Sequence, residues 1–250
     1  MGTPEVVTAD APRLGKPRIM RNDWRSVSFL HWSVEPSKVA GFCPRGTQPD
    51  TLDGSTYVGL VAFEMANVGL PHGPSLLGRF LETNVRLYSV DQTGRRGVVF
   101  LSLDTNRLLM IAGGRTLAGV PYRLAEMTHC ESDGRHRYTS VLRWPRLTAS
   151  THLEVRARDR AVDGALERFL TARWGLHVRR FGRTWYLPNA HPAWSLRDAE
   201  LLGYHDGGLL ASVGLGELAR RGPDHVMFSS GVPALFGLPV KAETPRRLSP

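Results

Sequence analysis

Phe80-Leu81-Glu82-Thr83-Asn84-Val85-Arg86-Leu87-Tyr88-Ser89-Val90 is the stretch on which the fold turns. Side chains alternate between the two faces of a strand, so Phe80, Glu82, Asn84, Arg86 and Tyr88 share one face and Leu81, Thr83, Val85 and Leu87 the other. The second face is that of a strand packed on a core. The first carries a carboxylate, an amide, a guanidinium and a phenol, and it either meets solvent or lines a polar interior. The strand alone leaves both open. In an interior, Glu82 would be a general acid/base and Arg86 a carboxylate-binding arginine on the same row.

The neighbouring segments extend the pattern. The Asp91-Gln92-Thr93-Gly94 turn leads into Val98 to Leu103, apolar on both faces, which is a hairpin signal. Upstream, Tyr57 to Met65 is a mostly apolar run after the Asp53-Gly54 turn. A second hairpin is predicted from Met127 to Glu131 and Arg137 to Trp144, around Ser132-Asp133-Gly134. Thr151 to Arg158 alternates cleanly, with Leu153, Val155 and Ala157 opposite His152, Glu154, Arg156 and Arg158, as a half-buried antiparallel strand does. The clearest helix runs over about Val162 to Trp174, where Leu166, Phe169, Leu170 and Trp174 recur at helical spacing before Gly175. A weaker one starts at Pro36 to Val39. The fold class is α+β, mainly β: an antiparallel, closed or nearly closed barrel whose opening is covered by one or two helices. Residues 1–20 read as a flexible leader, 21–240 as a single β-rich domain without linker or repeat, and 241–250 as a flexible tail.

Composition narrows the function classes. With 250 residues, 42% of them hydrophobic, a sizeable core is expected. The net charge of +9 invites a nucleic-acid reading. Yet only Lys16, Lys38 and Lys241 are lysines, and the arginines are scattered in pairs such as Arg95-Arg96 and Arg179-Arg180 rather than in a run. Nucleic acid is therefore the least favoured partner. The isolated Cys43 and Cys130 suit a reducing compartment. The chain shows neither a signal peptide nor an apolar stretch of membrane-spanning length, so a cytoplasmic protein without a membrane partner is expected. The nine histidines form no HxH or HExxH arrangement, and no metal or cofactor is implied. His31, next to Trp32, is a candidate ligand-binding residue, although a lone histidine is more often a satisfied core or surface group. His191-Pro192-Ala193-Trp194 sets an imidazole beside an aromatic ring and reads equally as packing. No GxSxG elbow is present. Gly113-Gly114-Arg115 offers flexible backbone beside a basic side chain, but fits neither a Walker loop nor a dinucleotide fingerprint.

Several stretches together resemble the YqjF-like family: Phe29-Leu30-His31-Trp32, Asp53-Gly54 leading into Tyr57 to Phe63, Phe80 to Arg86, Phe100-Leu101-Ser102-Leu103-Asp104, and His191 to Trp194. The resemblance covers roughly Trp24 to Leu238. That family is similar in turn to the acetoacetate decarboxylase-like superfamily, which implies a β-rich, cone-like barrel with an interior pocket. The link is plainest in Gly114-Arg115-Thr116-Leu117-Ala118-Gly119-Val120-Pro121-Tyr122-Arg123. The decarboxylases carry two adjacent lysines at the end of this motif, the first forming a Schiff base and the second lowering its pKa. Tyr122 and Arg123 stand at those positions here, and neither a phenol nor a guanidinium can form the adduct. Lysine-dependent decarboxylation is not expected. The resemblance moves Glu82 towards the interior and gives Arg115 an anion to hold.

The expectation is a small-molecule pocket protein. Glu82 would move a proton on a keto- or carboxylate-bearing metabolite, Tyr122 would donate to a developing oxyanion, and Arg86, Arg115, Arg123 and His31 would contact the ligand. The alternative is a binding module that kept the barrel and lost the reaction. A homo-oligomer is compatible with the resemblance.

Overall fold

The computed structural model describes residues 2–145 and 148–242. In chain order the strands are β1 (Arg18–Val34), β2 (Thr47–Pro49), β3 (Thr56–Gly69), β4 (Phe80–Asp91), β5 (Arg96–Thr105), β6 (Tyr122–Ser132), β7 (Arg135–Trp144), β8 (Ser150–Ala161), β9 (Gly175–Arg180), β10 (Arg183–Ala190), β11 (Leu196–Gly207), β12 (His225–Gly237) and β13 (Val240–Lys241). Three short helices are interspersed: α1 (Pro36–Val39), α2 (Leu108–Gly113) and α3 (Ala165–Thr171).

All the strands join one sheet that closes on itself twice. Antiparallel pairing of β4 with β5 completes a ring through β6, β7, β8, β11, β12, β1 and β3. A second ring leaves β5 through β9 and β10 and returns at β12. Closure removes the exposed edges that an open sheet would present. The pairing is antiparallel throughout except where β5 meets β6 and β9, both parallel. Strands β12, β1, β3, β4 and β5 belong to both rings and so have a core on each face. Along β4 every residue but Arg86 is buried. Val61, Phe63, Val98, Leu103 and Leu176 form one core, and Leu60, Ala62, Val85, Val99 and Leu153 the other, as period-two alternation requires.

The predicted hairpins and the Thr151–Arg158 strand are present, each longer than its apolar run. The long helix is not. α3 spans only Ala165–Thr171, because the Val162 amide donates to the Leu196 carbonyl and the Gly164 amide to the Glu167 carboxylate, which sets the helix start. Past Thr171 the chain turns, and Trp174 leads directly into β9. The Gly113-Gly114-Arg115 stretch, expected as flexible backbone, lies in α2 and the wide helical turn Gly114–Ala118 that follows it. At the chain start, the Gly2 and Glu5 amides donate to the Gln92 and Gly94 carbonyls of the β4–β5 turn. Lys241, assigned to the tail, pairs with Trp185 in β10. Residues 243–250 of that tail lie outside the described residues.

Candidate functional site

The second ring encloses a cavity of about 600 Å³, walled by β1, β3, β4, β5 and β10. Helix α3 closes one end. Phe169 packs on Tyr57 and Tyr88, which lie at the start of β3 and near the end of β4. The opposite end opens beside the 70–79 loop and α2, which contribute Leu70, Leu76 and Leu109.

Glu82, Asn84 and Arg86 project into this space from the polar face of β4, and Tyr122 enters from the start of β6. The Tyr122 hydroxyl donates to Glu82 Oε2 at 3.0 Å, and Asn84 Nδ2 donates to Glu82 Oε1 at 3.3 Å. Glu82 is 2% exposed. Burial pushes its carboxyl up to about 7, against the pull of the two hydrogen bonds. Burial and the adjoining Glu82 hold the Tyr122 phenol well above the usual tyrosine range, so it stays protonated and is a donor. Gly114 makes this placement possible: a Cβ there would overlap the Tyr122 ring.

Arg86 is held from behind. Its Nε and Nη2 donate to the Tyr88 hydroxyl at 3.2 and 3.1 Å, and Nη2 also donates to the Leu170 carbonyl in the last turn of α3 at 3.0 Å. The Tyr88 oxygen, accepting from Arg86, sends its own proton to His31 Nε2 at 2.7 Å. His31 therefore carries its proton on Nδ1, a buried atom without a partner among the described residues. Burial, then Arg86, then His225 keep the His31 imidazole neutral. Gly59 faces Arg86 across the β3–β4 ladder, and a Cβ there would come within 3.2 Å of both the His31 ring and the Tyr88 hydroxyl. Among the described residues Arg86 has no carboxylate partner, so its charge is free to meet an anion in the cavity.

Three of the residues expected to hold ligand do not line the cavity. His31 sits behind Tyr88, where it positions Arg86. Arg123 follows Tyr122 on the strand and so points the other way. Its guanidinium grips Asp104 at 2.6 and 3.0 Å and donates to Ser212 at 2.8 Å. Arg115 leaves the motif outward, donating to the Tyr122 carbonyl at 2.8 Å and lying over Trp144. Conversely, the cavity includes Asn22, Trp24, Asn189, His191 and Trp194, which pattern reading did not assign. Trp24 stacks on Trp194, and His191 packs against both. His191 Nδ1 faces the Pro192 carbonyl at 2.8 Å, so the proton resides there and Nε2 keeps its lone pair. Burial lowers this imidazole to about 4. The His191–Trp194 loop was the visible signal. For Trp24 the alternation was hidden, because β1 bulges at Ser26 (φ 49°) and the cavity-facing positions change from Asn22 and Trp24 to Val27 and Phe29.

The doubly closed β barrel has the fold of the acetoacetate decarboxylase-like proteins. The acetoacetate decarboxylase of Legionella pneumophila superposes with a TM-score of 0.59 over 94% of this chain and 92% of its own, at 15% identity. The enduracididine biosynthesis enzyme MppR, in complex with the condensation product of pyruvate and imidazole 4-carboxaldehyde, superposes with a TM-score of 0.56 over 92% of this chain and 91% of its own, at 14% identity. In sequence, the uncharacterized protein YqjF of Bacillus subtilis is 29% identical over 186 residues, 73% of this chain and 76% of its own. Residues 21–233 match DUF2071, an uncharacterized conserved protein, and the chain belongs to that family. None of its three lysines lines the cavity: Lys38 is exposed beside Glu217, Lys241 is in the edge strand β13, and Lys16 precedes β1.

Proposed function

We propose that the cavity binds a carboxylate-bearing keto compound and that Glu82 shuttles a proton at the carbon next to its carbonyl, without a covalent intermediate. The observation that carries this reading is the single polar row of β4. It sets a buried carboxylate, hydrogen-bonded to a phenol, four residues from an arginine that has no carboxylate partner among the described residues. Four residues of strand span roughly 13 Å, a distance that the two long side chains and a ligand between them can bridge.

The proposed step is an enolisation. The Glu82 carboxylate takes the proton, the C–H electron pair moves into the carbon–carbon bond, and the carbonyl electrons move onto oxygen. Protonation weakens Glu82 as an acceptor, and the Tyr122 hydroxyl then turns from Oε2 to the new oxyanion. Arg86 holds the carboxylate. The His191 lone pair accepts from any ligand donor that reaches it. Arg123 and Arg115 take no part.

Deuterium exchange into the α position of a bound keto acid, followed by NMR in D2O, tests the step. Exchange is expected to rise with pH through about 7 as Glu82 ionises. Glu82→Gln should cut it by roughly a hundredfold or more, the usual worth of a positioned base. Tight binding with no exchange above the buffer rate would replace this reading by that of a non-catalytic binding module.

A further inference from the structure

The cavity is far larger than a short keto acid needs. At about 600 Å³ it has room for roughly 20 water volumes, and an acid of acetoacetate or pyruvate size would displace only a few of them. Its volume is in the range that encloses a drug-sized molecule. The walls away from the β4 row are largely apolar, with Val61, Phe63, Val98, Phe100, Leu103 and Leu176 facing the space and Asn22, Asn189, His191, Arg173 and Arg180 as polar exceptions. The open end is apolar too. Leu70, Leu76 and Leu109 border it although they are 60%, 63% and 66% exposed, a costly arrangement for leucines unless something covers them.

The strand register sets the order of these features. Met65 pairs with Phe80, Phe63 with Glu82 and Gly59 with Arg86, so Arg86 is at the closed end, near α3, and Glu82 lies between it and the leucine rim.

We infer that the ligand is an amphipathic acid: a carboxylate seated deep on Arg86, and an extended, uncharged aliphatic or aromatic body that runs past Glu82 to the leucine rim. The inference rests on the role proposed above for Arg86 but is independent of proton transfer at Glu82. It places the short keto acids outside the class of good ligands.

Binding of an ω-phenylalkanoate series to the full-length protein, read by the fluorescence of the cavity tryptophans Trp24 and Trp194, tests it, with acetoacetate and pyruvate alongside. Burial of each added methylene is expected to tighten Kd by two- to about fourfold until the space is filled. The corresponding amides should bind at least about tenfold more weakly, having lost the charge-assisted contact. Arg86→Ala should abolish the acid–amide difference and keep the dependence on length. Glu82→Gln should retain the length dependence even where it abolishes exchange. Less than twofold gain per methylene, or acetoacetate or pyruvate binding as tightly as the longest acid, overturns the inference. So do equal affinities of acid and amide, a measurement that needs only the wild-type protein.

Discussion

Glu82 shows how position alone changes what a residue can do. On an exposed strand it would be an ordinary carboxylate, whereas here burial raises it from 4.5 to about 7. A raised carboxyl favours the protonated fold, so its contribution is complete below pH 4.5 and is lost as pH rises through 7. The shift corresponds to about 3 kcal/mol. Urea unfolding at pH 5 and pH 8 should therefore show Glu82→Gln gaining stability relative to wild type at the higher pH. An equal difference at both would mean that Glu82 is not buried as described. His191 runs in the opposite sense: its lowered imidazole contributes fully above pH 6.5 and loses that contribution as pH falls through 4. Gly114 is the second sensitive position. Gly114→Ala forces the Tyr122 ring off its seat, and it should weaken ligand binding more than an Ala substitution at Gly113, which meets open space. Isothermal titration of the two variants with the same acid would decide the point.

The β5–β6 pair carries the clearest consequence at the level of elements. Asp104 and Arg123 face one another across its parallel register, and their buried ion pair ties β6 to β5 and to the turn at Ser212. Burial raises the Asp104 carboxyl while Arg123 pulls it down. Removing Arg123 leaves that carboxylate without its partner. Arg123→Ala should cost about 3–5 kcal/mol of stability by denaturant unfolding. Ligand affinity of the surviving folded protein should change little, since Arg123 faces away from the cavity. A large affinity loss at unchanged stability would restore Arg123 to the ligand-binding set. The one-residue step from Tyr122 to Arg123 thus separates a cavity group from a structural one, which a motif quoted as a string does not reveal. A similar buried cluster joins Asp50 to Arg96 and Arg173, each at 2.5 Å, and fastens the end of α3 to the barrel.

At the scale of the whole molecule, double closure of the sheet is what makes the site. It buries both faces of β4, so one strand contributes a core on one side and a polar row to a cavity on the other. Ligand binding should then stabilise the entire barrel. An acid at about 100 times its Kd should add roughly 2.7 kcal/mol and raise Tm by a few degrees, and Arg86→Ala should reduce that shift. Among the described residues no helix is long and apolar enough to cross a membrane. Much of this architecture was legible in the chain. Period-two alternation marked the strands, and their number with few helices marked a closed sheet. The β4 row named Glu82 and Arg86, and the motif ending in Tyr122-Arg123 in place of two lysines argued against Schiff-base chemistry. The alternation is a property of neighbours in sequence, and local spacing suffices to read it. The inward facing of Glu82 and the missing lysine pair were legible only through the family resemblance. Tertiary structure alone decided which basic groups reach the cavity. A bulge at Ser26 reversed the facing of β1, one step of alternation sent Arg123 outward, and a helical turn carried Arg115 to Trp144. The size of the cavity was equally beyond local reading, because a void is bounded by strands that meet only when the sheet closes.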